Sequence, residues 1–580
     1  MELKKTARID LLKERMLSQP RYVSMEQAMI ITRAYQRHEQ EPVILKRAYA
    51  LHDALCELEI GIEPQELIVG NRTKGVRYGV VFPESGISWV DQELETLPTR
   101  PQDKFLVRPE DVQTFREVIK PYWKGKSLED VLKKRYGKEI SALSTVVKIN
   151  QKDHAQGHIC PNVREWLEKG PAGLKEEAQQ HLLDCKEEQR PFYESILLVM
   201  DGVCRFLMRY HDELQKEAKQ HPDWKQDMIE TAEICKALSK RPAETFHEAV
   251  QSMWILFVVL HMESNASSFS PGRLDEILYP YYRKDRELGR LDAQRALDII
   301  ECLWLKFNQI VYLRNKNSAK YFAGFPIGFN IAVGGQDVHG EDVCNELSFL
   351  FLLAQEHIGL PQPNLSVRLH RGTGDALLKK AVRVVAKGSG MPQFFNDEAI
   401  IAELEKLGIS HQDAMDYAIV GCVELTTQGN NLGWSDAAMF NLNKVLELTL
   451  HHGRCLLTNQ QLGPDLGGLD TYESYEELES AFDAMIDHFL QRMIPACEEV
   501  EKAHIDILPS PFLSSVIDDC MEQGMDVTRG GAHYNLSGIQ MIQVANLADS
   551  LAAIKALVYD RKSVTGEALQ YALEHNFAQD

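Results

Sequence analysis

The sequence predicts an α/β protein, with a core of strands and helices behind a large helical N-terminal layer. Three observations predict it. Short apolar or β-branched runs bounded by glycine and proline recur from about residue 325 to 450, as in "FNIAVGG", "LPQPNLSVRLH", "GMPQFFND" and "YAIVGC". Such runs read as buried strands ending in loops. Amphipathic stretches lie between them, and this alternation points to an α/β core. Before the alternation begins, the apolar pattern has helical spacing.

In chain order, "MELKKTARIDLLKERMLSQP" mixes charges with leucine and lacks the apolar stretch of a secretory signal. The densest apolar run, "WILFVVL" at 254 to 260, is too short to span a bilayer. "LDAQRALDIIECLWLKFNQIV" sets Leu297, Ile300, Trp304 and Phe307 on one helical stripe. "GDALLKKAVRVVAKG" reads as an amphipathic helix closing on Gly388. In "WSDAAMFNLNKVLELTL", Ser435 could cap a helix carrying Leu442, Val445, Leu446 and Thr449 on one face. Residues 451 to 477 form the loosest stretch and read as a surface excursion. With no internal repeat and no low-complexity linker, the expectation is a single large domain over residues 1–580.

Composition limits the partners. The chain carries 85 acidic against 64 basic residues, a formal net charge of −21. That surface repels phosphate backbones, which argues against nucleic acid and anionic membranes as partners. Eleven dispersed cysteines without a C-x-x-C pair, and no signal peptide, point to reduced thiols in a cytoplasm.

Four stretches could carry chemistry. In "DYAIVGCVELTTQGN", Cys422 and Glu424 follow a strand and open a turn, a common place for function. Locally the pair could be a nucleophile with a base, half of a metal site, or a buried thiol beside a solvated carboxylate. In "NQKDHAQGHICPN", His154 and His158 stand four apart, a spacing that suits a metal on a helix. Gly157 and Pro161 argue for a loop instead, and no cysteine or carboxylate cluster adjoins, so no metal is expected. His158 fits better as a proton donor. In "HMESNASSFSPGRLDE", Ser267 and Ser268 could hydrogen-bond a hydroxylated or carboxylated substrate, or serve only as turn residues. "TRGGAHYNLSG" offers many donors but lacks the layout of a phosphate loop.

The series "ELIVGNRT", "GHI", "ESNASSFSPGRLDEILYPYY", "YFAGFP", "LPQPNLSVR", "FNDE", "GCVEL", "PFLSS" and "GGAHYNLSG" runs in one order through nearly the whole chain. It resembles the pyruvate formate-lyase-like glycyl radical enzymes, and among them the GCVE-bearing dehydratases and lyases such as glycerol dehydratase. The resemblance implies a ten-stranded β/α barrel of two half-barrels, with the cysteine loop enclosed inside. It implies a radical placed on a backbone glycine by a radical-SAM activating enzyme, passed to a cysteine thiol, and used to abstract hydrogen from substrate carbon. Position by position, Cys422 matches the thiyl cysteine, Glu424 the general base, and His158 the histidine that assists the leaving hydroxyl. Asp436 and Ser268 match substrate-binding residues. A small hydroxylated substrate, no bound cofactor and a homodimer are also implied.

This sequence departs from the family pattern in three ways. Val423 follows Cys422 where pyruvate formate-lyase has a second cysteine, which disfavours acyl transfer and favours elimination. Ser267 and Gly328 stand where glycerol dehydratase has a histidine and a tyrosine, so a bulkier substrate than glycerol is conceivable. No counterpart of the family's R-V-x-G-Y glycine loop occurs in the 580 residues. The expectation is therefore an incomplete barrel lacking the glycine radical domain, either truncated or complemented by a separate polypeptide that carries the loop, and inactive alone. The alternatives are a formate acetyltransferase-like acyltransferase, a thiolate hydrolase using Cys422, or a non-catalytic fragment.

Overall fold

Ten strands form among the described residues of the computed structural model, which are 3–324 and 327–578. Phe325 and Pro326 of "YFAGFP" lie outside them. The strands are β1 (Val23–Ser24), β2 (Gly79–Val80), β3 (Val147–Ile149), β4 (Asn330–Gly334), β5 (Asn364–Leu369), β6 (Gln393–Asn396), β7 (Ala418–Val420), β8 (Glu424–Thr426), β9 (Trp434–Asn441) and β10 (Ser537–Ile542). The four strands expected in the core are thus β4, β5, β6 and β7. Two compact units divide the chain: Met1–Asp130 with Asp153–Trp434 and His504–Leu536, and Val131–Lys152 with Ser435–Ala503 and Ser537–Asp580.

In the first unit, β4, β5 and β6 form a parallel sheet in that order, with Asn330 opposite Asn364 and Val367 opposite Phe394. Parallel neighbours need crossovers. Helix Glu346–Ile358 links β4 to β5, and helix Asp375–Val384 links β5 to β6. The first of these is capped by the Asn345 side chain and stopped by Gly359 at φ 56°. Every residue of β4 is buried, and all but the last of β5, as expected for parallel strands covered on both faces.

The N-terminal layer is helical, as the apolar spacing predicts. Helix Phe246–Glu263 is buried at every position, which is why its "WILFVVL" run is apolar on every side. A capping box of Thr245 and Glu248 starts it. Leu297, Ile300 and Trp304 are buried on helix Ala293–Lys306, with buried Phe307 as its C-cap. No helix among the described residues is long and apolar enough to cross a membrane.

Arg368 ties the sheet to the segment that carries the candidate site. Fully buried on β5, it donates to Asp397 Oδ1 and Oδ2 at 2.9 and 3.0 Å and to the carbonyls of Met415 and Tyr417 at 2.9 Å each. The Tyr417 hydroxyl donates to the same Asp397 carboxylate at 2.8 Å. A guanidinium with every partner in place is a strong directional clamp, and here it fixes where β7 begins.

In the second unit, β10, β9 and β3 form a sheet in that order, β3 and β9 antiparallel with Val147 opposite Phe440. One expectation is corrected. Ser435 does not cap a helix, because Trp434–Asn441 is drawn out as strand β9. The helix starts only at Leu442, where the Asn441 side chain accepts the Lys444 N–H at 3.0 Å. Gly388, at φ 85°, leaves the helical backbone as the closing glycine the sequence suggests. The turns widen to a π-helical run over Val385–Ser389, and Gly390 at φ 76° is its C-cap.

Candidate active site

The site is built on a hairpin. β7 and β8 pair antiparallel, Val420 opposite Glu424, leaving Gly421, Cys422 and Val423 as the turn. The sequence suggests a loop leading towards a helix; the short β8 returns along β7 instead. Gly421 makes the turn possible. Its φ is 58°, and a Cβ there would lie 2.5 Å from His158 Cδ2 and 2.6 Å from Glu424 Oε2. Any other residue would meet both the left-handed backbone penalty and this collision.

Glu424 folds back over the turn. Its Oε2 accepts the Cys422 N–H at 2.8 Å and the Val423 N–H at 3.1 Å. Its Oε1 lies 4.0 Å from His158 Nε2, with both side chains about nine-tenths buried. The three expected catalytic residues are thus brought together. Behind the turn, the Gly421 carbonyl accepts from Asn330 Nδ2 at 3.1 Å and Asn364 Nδ2 at 2.8 Å.

His158 is held by its own backbone. It sits at φ 58°, and its N–H donates to the Ser267 carbonyl at 3.0 Å. A Cβ on Gly157 would lie 1.8 Å from that same oxygen, so only glycine fits before the histidine. Its Nδ1 is buried without a hydrogen-bond partner among the described residues. His154 faces elsewhere, bonding Asp153 at 2.8 Å. No group of three or more metal-ligating side chains occurs among the described residues.

Ser267 and Ser268 flank the histidine loop. Ser268, at φ 63°, donates its N–H to the Ile327 carbonyl at 3.0 Å, and a Cβ on Gly328 would lie 2.4 Å from its Oγ. Gly328 therefore lets the serine occupy space a side chain would fill. Asp436 lies on β9 of the second unit, where Asn150 Nδ2 donates to its Oδ1 at 2.8 Å and to its carbonyl at 3.0 Å.

Charge at the base of β7 is fixed by Asp416. Burial pushes its pKa up, but Arg164 and Arg273, bonded at 2.7 and 2.9 Å, outweigh burial and hold it below the usual carboxylate value. Cys422 is solvent-exposed and Val423 is 55% exposed, so the cysteine loop is not enclosed by the described residues. The reason is geometric: both residues project from the tip of a short hairpin.

Sequence reasoning missed Asn330 and Asn364. The signal was present, since each opens an apolar strand with a residue type that strands disfavour. Arg368 was missed as well, although an arginine in the buried run "NLSVRLH" demands a partner.

The sequence profile of the pyruvate formate lyase-like family matches residues 3–580. The chain is 31% identical to the (2S)-3-sulfopropanediol dehydratase of Klebsiella oxytoca, over 98% of this chain and 71% of that one. It is 31% identical to the trans-4-hydroxy-L-proline dehydratase of Clostridioides difficile, over 98% and 73%. Its structure superposes on the glycerol-bound form of the B12-independent glycerol dehydratase from Clostridium butyricum with a TM-score of 0.95 and 34% identity, covering 99% of this chain and 74% of that one. The chain belongs to the pyruvate formate lyase-like family of glycyl radical enzymes and shares their barrel fold. Within the family its relatives are dehydratases and lyases, and it is an enzyme of that lyase class.

Proposed function

We propose that this chain supplies the hydrogen-abstracting thiol and the acid–base pair of a radical dehydratase acting on a small vicinally hydroxylated substrate. The observation that carries the reading is the position of Glu424, which binds the Cys422 backbone N–H through one oxygen and stands 4.0 Å from His158 Nε2 through the other.

In this reading a glycyl radical, installed by a radical-SAM activating enzyme, supplies the power to abstract hydrogen, and it resides on a segment outside these 580 residues. The exposure of Cys422 at the hairpin tip fits delivery from such a segment, on this polypeptide or another. Having given its own thiol hydrogen to the glycyl radical, the Cys422 sulfur takes a hydrogen atom from the substrate carbon bearing one hydroxyl. Glu424 removes that hydroxyl's proton, and the resulting ketyl expels the neighbouring oxygen while His158 protonates it as water. The product radical then takes the hydrogen atom back from the Cys422 thiol, so the sulfur ends as it began. Ser267 and Ser268 bind the substrate in this scheme, and Val423 offers no second sulfur for acyl transfer.

The test is anaerobic reconstitution with an activase and a polypeptide carrying the glycine loop. A glycyl radical signal by electron paramagnetic resonance, with diol turnover that Cys422→Ala abolishes, supports the reading. Turnover undiminished in Cys422→Ala sinks it, and the chain assayed without the loop polypeptide is expected to be inactive.

A further inference from the structure

We infer that Asn330 and Asn364 are positioning residues that clamp the peptide unit between Gly421 and Cys422, and so aim the Cys422 side chain and the Glu424 carboxylate together. This rests on the reading of Cys422 and Glu424 as the reacting groups and adds the device that holds them.

The clamp closes on both ends of one peptide plane. Its oxygen, on Gly421, accepts from Asn330 Nδ2 at 3.1 Å and from Asn364 Nδ2 at 2.8 Å. Its N–H, on Cys422, donates to Glu424 Oε2 at 2.8 Å. The two asparagines are direct neighbours across the parallel sheet, each the first residue of its strand, and both are fully or almost fully buried. Their rotamers are therefore set by the sheet, while the turn they hold reaches into solvent.

A third layer supports them. Ser366 Oγ donates to Asn330 Oδ1 at 2.9 Å, which orients that amide with its NH2 towards Gly421. The Asn330 backbone N–H is itself held by Ser270 Oγ at 3.1 Å, in the segment that carries Ser267 and Ser268. A directed chain results: Ser366 hydroxyl to Asn330 amide, Asn330 amide to the Gly421 carbonyl, and the Cys422 N–H to the Glu424 carboxylate. Each donor polarises the next, so the amides that grip the carbonyl also strengthen the N–H that grips Glu424. A turn whose Cys422 and Val423 are exposed would otherwise be free to rotate this plane, and rotating it swings the Cys422 Cα–Cβ bond and releases Glu424.

Sheet stability alone does not account for the arrangement. Asparagine is disfavoured in strands, and two of them placed side by side spend both NH2 groups on one oxygen. Asn364 Oδ1 remains buried with no partner among the described residues, so this amide is not optimised for the sheet.

The sequence allows a direct test, because Gly421–Cys422 is the only Gly–Cys pair in the chain. Deuterated protein labelled with carbonyl-13C glycine and 15N cysteine gives a single HNCO cross-peak, which reports that peptide alone. The variants are Asn364→Ala, Asn330→Ala and the milder Ser366→Ala, which keeps both asparagines and removes only the orienting hydroxyl. The clamp predicts that the carbonyl resonance moves upfield and that exchange of the Cys422 amide proton with water speeds up about tenfold in the asparagine variants, with a smaller change of the same sign in Ser366→Ala. A cross-peak that stays in place in folded Ser366→Ala and in either folded asparagine variant overturns the clamp. The measurement needs no radical and no turnover. If the peptide moves while Cys422→Ala leaves turnover intact, the clamp stands and its catalytic meaning falls; if the peptide is unmoved, the clamp alone falls.

Discussion

Replacing Gly421 with alanine tests whether the turn geometry serves the chemistry. The added Cβ would sit 2.5 Å from His158 Cδ2 and 2.6 Å from Glu424 Oε2, where ordinary contact begins at 3.4 Å. Imidazole and carboxylate must each retreat by about an ångström, or the turn must move by as much. The backbone adds a second cost, since φ 58° is unfavourable for alanine by about 1–2 kcal/mol. A misplacement of about 1 Å near reacting groups lowers turnover by about a hundredfold. Gly421→Ala is therefore expected to unfold only slightly earlier than the parent while losing about two orders of magnitude in turnover by the reconstituted, activated enzyme. Thermal scanning and anaerobic diol turnover read the two effects separately. Parental turnover in Gly421→Ala would show that the His158, Glu424 and Cys422 arrangement is not the one that reacts.

Four further outcomes follow from the same structure. Glu424→Gln should slow product formation by about 10²–10⁴-fold while hydrogen still passes between substrate and the Cys422 thiol, seen as solvent deuterium entering recovered substrate. Brief alkylation with iodoacetamide followed by peptide mapping should label exposed Cys422 ahead of Cys160, Cys235 and Cys302, whose thiols burial pushes up to about 12. Arg368→Met strands the buried Asp397 carboxylate, and should destabilise the first unit by about 3–5 kcal/mol, detected as faster hydrogen exchange through β5 and β7. Burial pushes Glu263 up from 4.5 to about 7, although Arg47 and the N–H groups of Phe512 and Leu513 pull it back. The folded chain then holds a proton that the unfolded chain has released, so stability falls as pH rises from about 4.5 to 7 and is level above that; Glu263→Gln should flatten denaturant midpoints over this window.

Much of this was legible because local pattern and burial agree. The strands β4, β5, β6 and β7 follow from apolar runs with glycine and proline at their ends, and Gly157 and Pro161 rightly argue for a loop around His158. The convergence of Cys422, Glu424 and His158 came from motif order, since nothing local says that residue 158 meets residue 424. What failed locally failed for tertiary reasons. Ser435 is a good N-cap residue, yet pairing along β3 holds Trp434–Asn441 extended and passes the capping role to Asn441. The hairpin form of the cysteine turn was invisible because β8 is three residues long and half-buried, too short to show alternation. The paired asparagines could not be foreseen as partners, because register across a parallel sheet is not written in either strand.

The most direct test of the central claim is the fate of a deuterium label on the substrate carbon that Cys422 attacks. With activated, reconstituted enzyme and a diol deuterated at that carbon, the account predicts that deuterium passes through the thiol and appears at the neighbouring carbon of the product, and that Cys422→Ser forms no product. Product formed by Cys422→Ser at the parental rate, with the label left in place, would contradict it.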